Sequence, residues 1–267
     1  MQSAPIGSLC SPLPPQSGEV NMALLKAVPI TEGEWNRKAV VGALRLPPPN
    51  QSSMSACQYR LDNLAKPIHS LGYLERIAVQ LAGVMHCERP PLDTQAALLL
   101  ITEKKDLPID LTRILNALTD ARGIPVHILT SHDSEDACAA AYHLARTHPL
   151  LILGAYEQED RTPITAALHG AAAGGSLILP GDAQTDDIAH KTEVNSPALT
   201  PYILHVLPNM LTIDTELTAG IAGLFGINIV RAALHVVNDM KTFTETGVAV
   251  AIDGAGAGRQ VREQAKK

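Results

Sequence analysis

The sequence predicts an α/β fold, a Rossmann-like parallel sheet flanked by helices, with a smaller helical part made from the two chain ends. In the middle of the chain, short unbroken apolar runs alternate with segments of helical period, the pattern of strand–helix–strand units with right-handed crossovers. Of the 267 residues 46% are hydrophobic but only 3% aromatic, so the core is built from Ala, Leu, Ile and Val, which suits helices on a buried sheet. A chain of this length and apolar content can bury a sizeable core.

Residues 1–20 and 46–56 are rich in Pro, Ser, Gln and Asn and lack an apolar period. The expectation is a mostly flexible extension over 1–56, with a short helix somewhere in Val20–Leu44. Residues 57–94 form an N-terminal helical part, in which Leu71, Leu74, Ile77, Ala78, Leu81 and Ala82 predict a helix over Leu71–Val84 capped by Ser70.

Residues 95–205 carry the sheet. Ala96–Ile101 reads as a strand and Leu111–Ala121 as a helix stopped at Gly123, and Val126–Leu129 is again a strand. Ser131–Asp136 supplies cap candidates for an Ala-rich helix over Ala137–Thr147, followed by a strand at Leu150–Leu153. A helix after Thr162-Pro163 runs to Ala173, Ser176–Leu179 is a strand, and Gly181–Ser196 is a polar stretch. Residues 206–250 form C-terminal helices, with a long apolar region over Thr215–Thr242 interrupted by Gly220, Gly223 and Gly226; residues 251–267 are a flexible tail.

A net charge of −6 without a Lys/Arg run argues against binding nucleic acid. The longest apolar runs fall short of the roughly 20 residues that span a bilayer, so no membrane association is expected. Four scattered cysteines without a CxxC pair, and no secretory leader, suit reduced thiols and a cytoplasmic location. The ten histidines offer no HxxxH, HExxH or Cys/His cluster, so the expectation is no metal and no cofactor. Gly254–Gly258 resembles a dinucleotide fingerprint, but too little chain follows it to complete a βαβ unit.

Leu61-Asp62-Asn63-Leu64-Ala65-Lys66-Pro67-Ile68-His69-Ser70-Leu71-Gly72-Tyr73-Leu74-Glu75, continued by Ala78-Val79-Gln80-Leu81-Ala82-Gly83, resembles an N-terminal signature of the nicotinate-nucleotide:dimethylbenzimidazole phosphoribosyltransferases. Gly123–Val126 with the Ala-rich helix and Leu150–Ile152 is similar to a second region of that family, and Thr215–Val248 to its ending. The resemblance implies a shortened, divergent member. Its substrates would be nicotinate mononucleotide and a benzimidazole-type base, and it would act as a homodimer or paired with a homologue. Lys66 and Ser70 would then lie near the substrates, and Glu216 would hold the position of the catalytic carboxylate.

The residues leave that last role open. Thr215-Glu216-Leu217-Thr218-Ala219 stands where the family has Gly-Glu-Gly-Thr-Gly, and Glu216 reads equally well as a solvated helix-start residue beside Asp214. The family's Asp-His-Gly motif and its glycine-rich phosphate loop are absent. Gly170–Gly175 with Ser176, above all Gly174 and Gly175, or else Lys104-Lys105, could bind phosphate in its place; ordinary loop glycines and a solvated charge pair are the alternative. Two functions follow: phosphoribosyl transfer to dimethylbenzimidazole, as in assembly of the cobalamin lower ligand, or a catalytically inactive homologue serving as a small-molecule-binding or partner subunit.

Overall fold

The computed structural model describes residues 27–29, 44–206 and 218–247. They form an all-parallel five-stranded sheet in the order β1-β3-β2-β4-β5. The strands are β1 (Ala27–Pro29), β2 (Ala96–Thr102), β3 (Val126–Thr130), β4 (Leu150–Tyr156) and β5 (Leu177–Pro180). The helices are α1 (Gln51–Asp62), α2 (Tyr73–Val84), α3 (Ile109–Asp120), α4 (Ser134–Ala145), α5 (Thr162–Gly174), α6 (Ala183–Asn195), α7 (Ile221–Asp239) and the single turn α8 (Phe243–Thr246), with a 3-10 helix at Pro197–Tyr202. The α/β architecture read from the sequence is the one observed.

Strand β2 sits at the centre and all seven of its residues are buried. Because β3 lies on one side of it and β4 on the other, right-handed crossovers put α3 and α4 on opposite faces. α4 and α5 pack closely together over one face. Their contact is made by small residues: a Cβ on Gly170 would stand 2.1 Å from the carbonyl oxygen of Cys138. The other face is covered by α7, which packs on α2, α3, β4 and β5. At 19 residues α7 is long and apolar enough to cross a membrane, yet 56% of its apolar window is buried inside the protein, as in the core helix of a globular fold.

The structure differs from the sequence reading at four places. Residues read as loosely attached belong to α1, whose first turn is capped by the Asn50 side chain accepting from Ser53 N at 2.9 Å. Only Cys57 and Leu61 of α1 are fully buried, so its apolar period is faint. The polar stretch after β5 is helix α6, whose buried side includes Thr185 and Thr192 beside Ile188 and Ala189. Three residues of the segment expected to hold a short helix pair instead with β3 as β1. Finally, α2 begins at Tyr73 after Gly72, without a side-chain cap from Ser70; the Glu75 carboxylate reaches back to Leu71 N at 3.1 Å. Residues 251–267, including the glycine-rich tail, lie outside the described residues.

Candidate functional site

In a doubly wound sheet the ligand crevice lies beyond the carboxyl ends of neighbouring strands whose connections leave toward opposite faces. Here those strands are β2 and β4. Beyond β2 the chain continues with Glu103 and Lys104; beyond β4 it turns through Glu157, whose φ of 43° is left-handed, into Gln158, Glu159 and Asp160.

One carboxylate organises this crevice. Oε1 of Glu103 accepts from Gln158 Nε2 at 3.2 Å, Glu159 N at 3.2 Å and Asp160 N at 3.4 Å, and lies 3.5 Å from His132 Nδ1. Lys104 Nζ pairs with Glu157 Oε2 at 3.0 Å, and the Tyr156 hydroxyl donates to Glu157 Oε1 at 3.0 Å. Hydrogen bonds from Lys104 and then Tyr156 hold the Glu157 carboxyl below its ordinary pKa, and the same ion pair raises that of Lys104. Both partners are about half exposed, so the pair orders the rim more than it stabilises the fold.

A second carboxylate is buried at the same edge. Asp182, 2% exposed, accepts from Ala155 N at 2.7 Å and Gly220 N at 3.2 Å through Oδ2, and from Thr185 N at 2.9 Å through Oδ1. Burial raises its pKa; the backbone N–H groups of Ala155, Thr185 and Gly220 and the Thr185 hydroxyl oppose the rise. This bracing requires backbones to touch. A Cβ on Gly154 would lie 2.5 Å from Gly220 N, one on Gly181 2.5 Å from Gly220 Cα, and Gly220 itself has φ +82°. The start of α7 is thereby fixed against the carboxyl ends of β4 and β5, with Ala219 N also donating to Ala155 O at 2.9 Å.

A cleft of about 680 Å³ opens between α1, α2, α6 and the 3-10 helix. Met54, Val79, Pro201 and Ile203 give it apolar walls, and Arg76, Glu193 and His205 bring charge to it. His205 lies between two carboxylates, with Nδ1 2.6 Å from Asp186 Oδ1 and Nε2 2.7 Å from Glu193 Oε2. Burial alone would lower its pKa, but the hydrogen bonds and charges of Asp186 and Glu193 outweigh it and the net shift is upward.

The expected site residues fall in separate places. Glu216 lies outside the described residues, although Thr218, two positions later, enters the braced turn at the carboxyl edge. The Lys66 ammonium, buried, bonds Glu75 Oε1 at 2.8 Å and ties the loop before α2 to its first turn. Ser70 is exposed, and its N–H donates to Pro67 O at 3.3 Å. Gly174 ends α5 against Tyr142 and Ala145, and Gly175 is the left-handed cap before β5, so both sit at the amino edge of the sheet, away from the crevice. Lys104 does reach the crevice, as the ion pair with Glu157.

Asp182, Glu103, Glu157 and the Asp186–His190–His205 group were not singled out from sequence. Asp182 was signalled by its place directly after a strand and three residues before Thr185, the spacing of a capping box. The spacing of Asp186 and His190, four apart on one helix, marked the third group. Burial pushes the Cys57 and Cys138 thiols up to about 12 and about 11, which disfavours the thiolate that a nucleophile needs.

Residues 46–103 match a family model described as a phosphoribosyltransferase. Nicotinate-nucleotide–dimethylbenzimidazole phosphoribosyltransferase of Pseudomonas putida is 47% identical over 49 residues, which is 18% of this chain and 14% of that protein. The matched segment thus spans about a seventh of that curated relative's length. The crystal structure of nicotinate-nucleotide–dimethylbenzimidazole phosphoribosyltransferase from Thermus thermophilus aligns with a TM-score of 0.55 at 17% identity, covering 75% of this chain and 99% of the other. CobT from Thermus thermophilus aligns with a TM-score of 0.54 at 18% identity over 75% of this chain and 100% of the other.

Proposed function

We propose that this chain, a divergent relative of the nicotinate-nucleotide–dimethylbenzimidazole phosphoribosyltransferases, transfers the 5-phosphoribosyl group of nicotinate mononucleotide to a benzimidazole-type base. In that reaction a ring nitrogen of the base forms a bond to the ribose C1′ while the bond from C1′ to the pyridinium nitrogen breaks. The electron pair returns to nicotinate, and a carboxylate takes the proton that the base gives up. Glu216 is the residue we assign to that proton, with the crevice beyond β2 and β4 as the site. The observation that supports this reading is the bracing of Ala219 and Gly220 on Ala155 and Asp182, three and four positions after Glu216, at the carboxyl end of β4. The resemblance over residues 46–103 supports the same reaction class; a pairing of two such chains belongs to the proposal.

The experiment is product formation from nicotinate mononucleotide and dimethylbenzimidazole by the purified chain beside Glu216→Gln. Turnover that falls by about 100-fold or more in the variant is the expected result, the loss typical of removing a general base. Turnover equal in both proteins removes Glu216 from the mechanism, and none in either removes the activity.

A second reading, a catalytically silent binding or partner subunit, is favoured by Glu103. Its carboxylate accepts the N–H groups of Glu159 and Asp160, at the approach to the α5 amino terminus, where a phosphate would need donors. An internal anion therefore holds part of the ground that the substrate phosphate would use.

A further inference from the structure

We propose that Asp186, His190 and His205 bind a first-row divalent metal ion, zinc(II) or a neighbour of similar character, at the rim of the cleft between α2, α6 and the 3-10 helix. One donor atom from each of the three residues lies within 4.8 Å of the other two. His205 Nδ1 stands 2.6 Å from Asp186 Oδ1 and His190 Nε2 stands 3.6 Å from Asp186 Oδ2. Two elements of the fold fix them: Asp186 and His190 occupy one face of α6, and His205 follows the 3-10 helix, its carbonyl accepting from the Tyr73 hydroxyl at 3.0 Å.

The remaining nitrogens support the assignment. Metal-bound imidazoles commonly give their other nitrogen to a carboxylate, which fixes ring orientation and tautomer. Glu193 stands where that partner belongs, with Oε2 2.7 Å from His205 Nε2 and 3.9 Å from His190 Nδ1. The two imidazoles stack at 3.7 Å with 4° between their planes, each with one nitrogen toward Asp186 and the other toward Glu193; since an imidazole lone pair lies in its ring plane, His190 must rotate out of the stack for both rings to bind one ion. Two imidazoles and one carboxylate suit zinc, cobalt and nickel better than calcium or magnesium, which prefer all-oxygen shells.

Bond lengths of about 2.0–2.2 Å require the donors to close in around the ion. His190 can move to meet it, because its side chain is 54% exposed while His205 and Asp186 are held at 12% and 13%. His205 and Glu193 also line the 680 Å³ cleft, so a ligand entering there reaches the edge of the metal site.

The test is titration of the tag-free full chain with cobalt(II), read by visible absorption and followed by displacement with zinc(II). Phosphoribosyl transfer plays no part in the readout, so the outcome is independent of the activity proposed above. A saturable band at one ion per chain is expected, weakened about ten-fold or more by His190→Ala and by Asp186→Asn. His190→Gln, at the same exposed position, is the second variant should His190→Ala disturb α6. His235→Ala is the control, since His235 and Asp239 form an exposed pair of the same spacing, 2.5 Å apart, with no third donor among the described residues. No saturable binding of either metal overturns the site, and so does unchanged binding in the His190 variants.

Discussion

The carboxylate of Asp182 accepts the backbone N–H of Gly220, 38 positions away in sequence, at 3.2 Å while holding Ala155 N at 2.7 Å. It thereby joins the end of β4, the start of α6 and the start of α7 in one buried node. Asp182→Ala would strand three N–H groups away from water, each costing about 1–3 kcal/mol. The expected result is a loss of about 3 kcal/mol or more in urea unfolding, with Asp182→Asn losing less because its carbonyl oxygen still accepts.

Two glycines separate crowding from backbone conformation. Gly175 has φ +89° and open space around a would-be Cβ, so Gly175→Ala costs only the left-handed penalty of about 1–2 kcal/mol. Gly154→Ala drives a methyl into the backbone of Gly220 and forces α7 off the sheet. It should cost at least as much as typical overpacking, about 1–3 kcal/mol, and should also lower activity because the turn after Glu216 moves. Equal activity in the two variants would argue against the node as the support of the site.

Lys66 and Glu75 are buried together, and removal of Lys66 takes from the Glu75 carboxylate its ammonium partner at 2.8 Å, leaving it Leu71 N and the exposed His69 at 3.6 Å. Lys66→Met alone should destabilise by about 3–5 kcal/mol, whereas the double variant with Glu75→Leu should recover most of the loss. A fall in substrate affinity without a fall in stability would place Lys66 at the substrate site.

His205 gives a stability signal with a defined sign. Its pKa is raised in the folded protein, so the stabilisation is fully present below the ordinary value of about 6.5 and is lost as pH rises through the folded value. Asp186 and Glu193 face the ring nitrogens and His190 faces the ring plane. Comparison of wild type with His205→Gln by thermal unfolding should show the gap between them shrinking as pH increases. A gap that widens would reverse the assignment.

Glu103→Ala frees the N–H groups of Glu159 and Asp160. Binding of inorganic phosphate, read by calorimetry, should strengthen in this variant if the loop is an anion site held by an internal carboxylate. No change would show that the loop does not recognise phosphate.

The strands β2 to β5 were legible because Ala96–Ile101, Val126–Leu129, Leu150–Leu153 and Ser176–Leu179 are apolar runs of strand length between helical periods. α1 and α6 were not, because their buried sides carry Cys and Thr as well as aliphatic residues, which leaves no clear period. The signature around Lys66 was legible as a resemblance, but its physical content emerges only in three dimensions. Lys66 pairs with Glu75, Gly72 turns with φ 50°, and Gln80 Nε2 donates to the carbonyls of Pro201 and Ile203, both at 2.9 Å. Asp182, Glu103 and His205 bond residues distant in sequence; spacing marks Asp182 as a helix cap but gives no sign of its bond to Gly220, nor of the partners of Glu103 and His205.

The contact between α4 and α5 divides the molecule mechanically. Ala137, Ala139, Ala140, Ala141, Ala167, Ala171 and Ala172 have no side-chain torsions to freeze, so docking these helices costs backbone entropy almost alone. With Gly170 pressed on the Cys138 carbonyl, the pair cannot slide without a clash between main chains. That side of the sheet is a fixed slab, and any rearrangement that admits a ligand is left to the loops beyond β2 and β4, where the chain meets water.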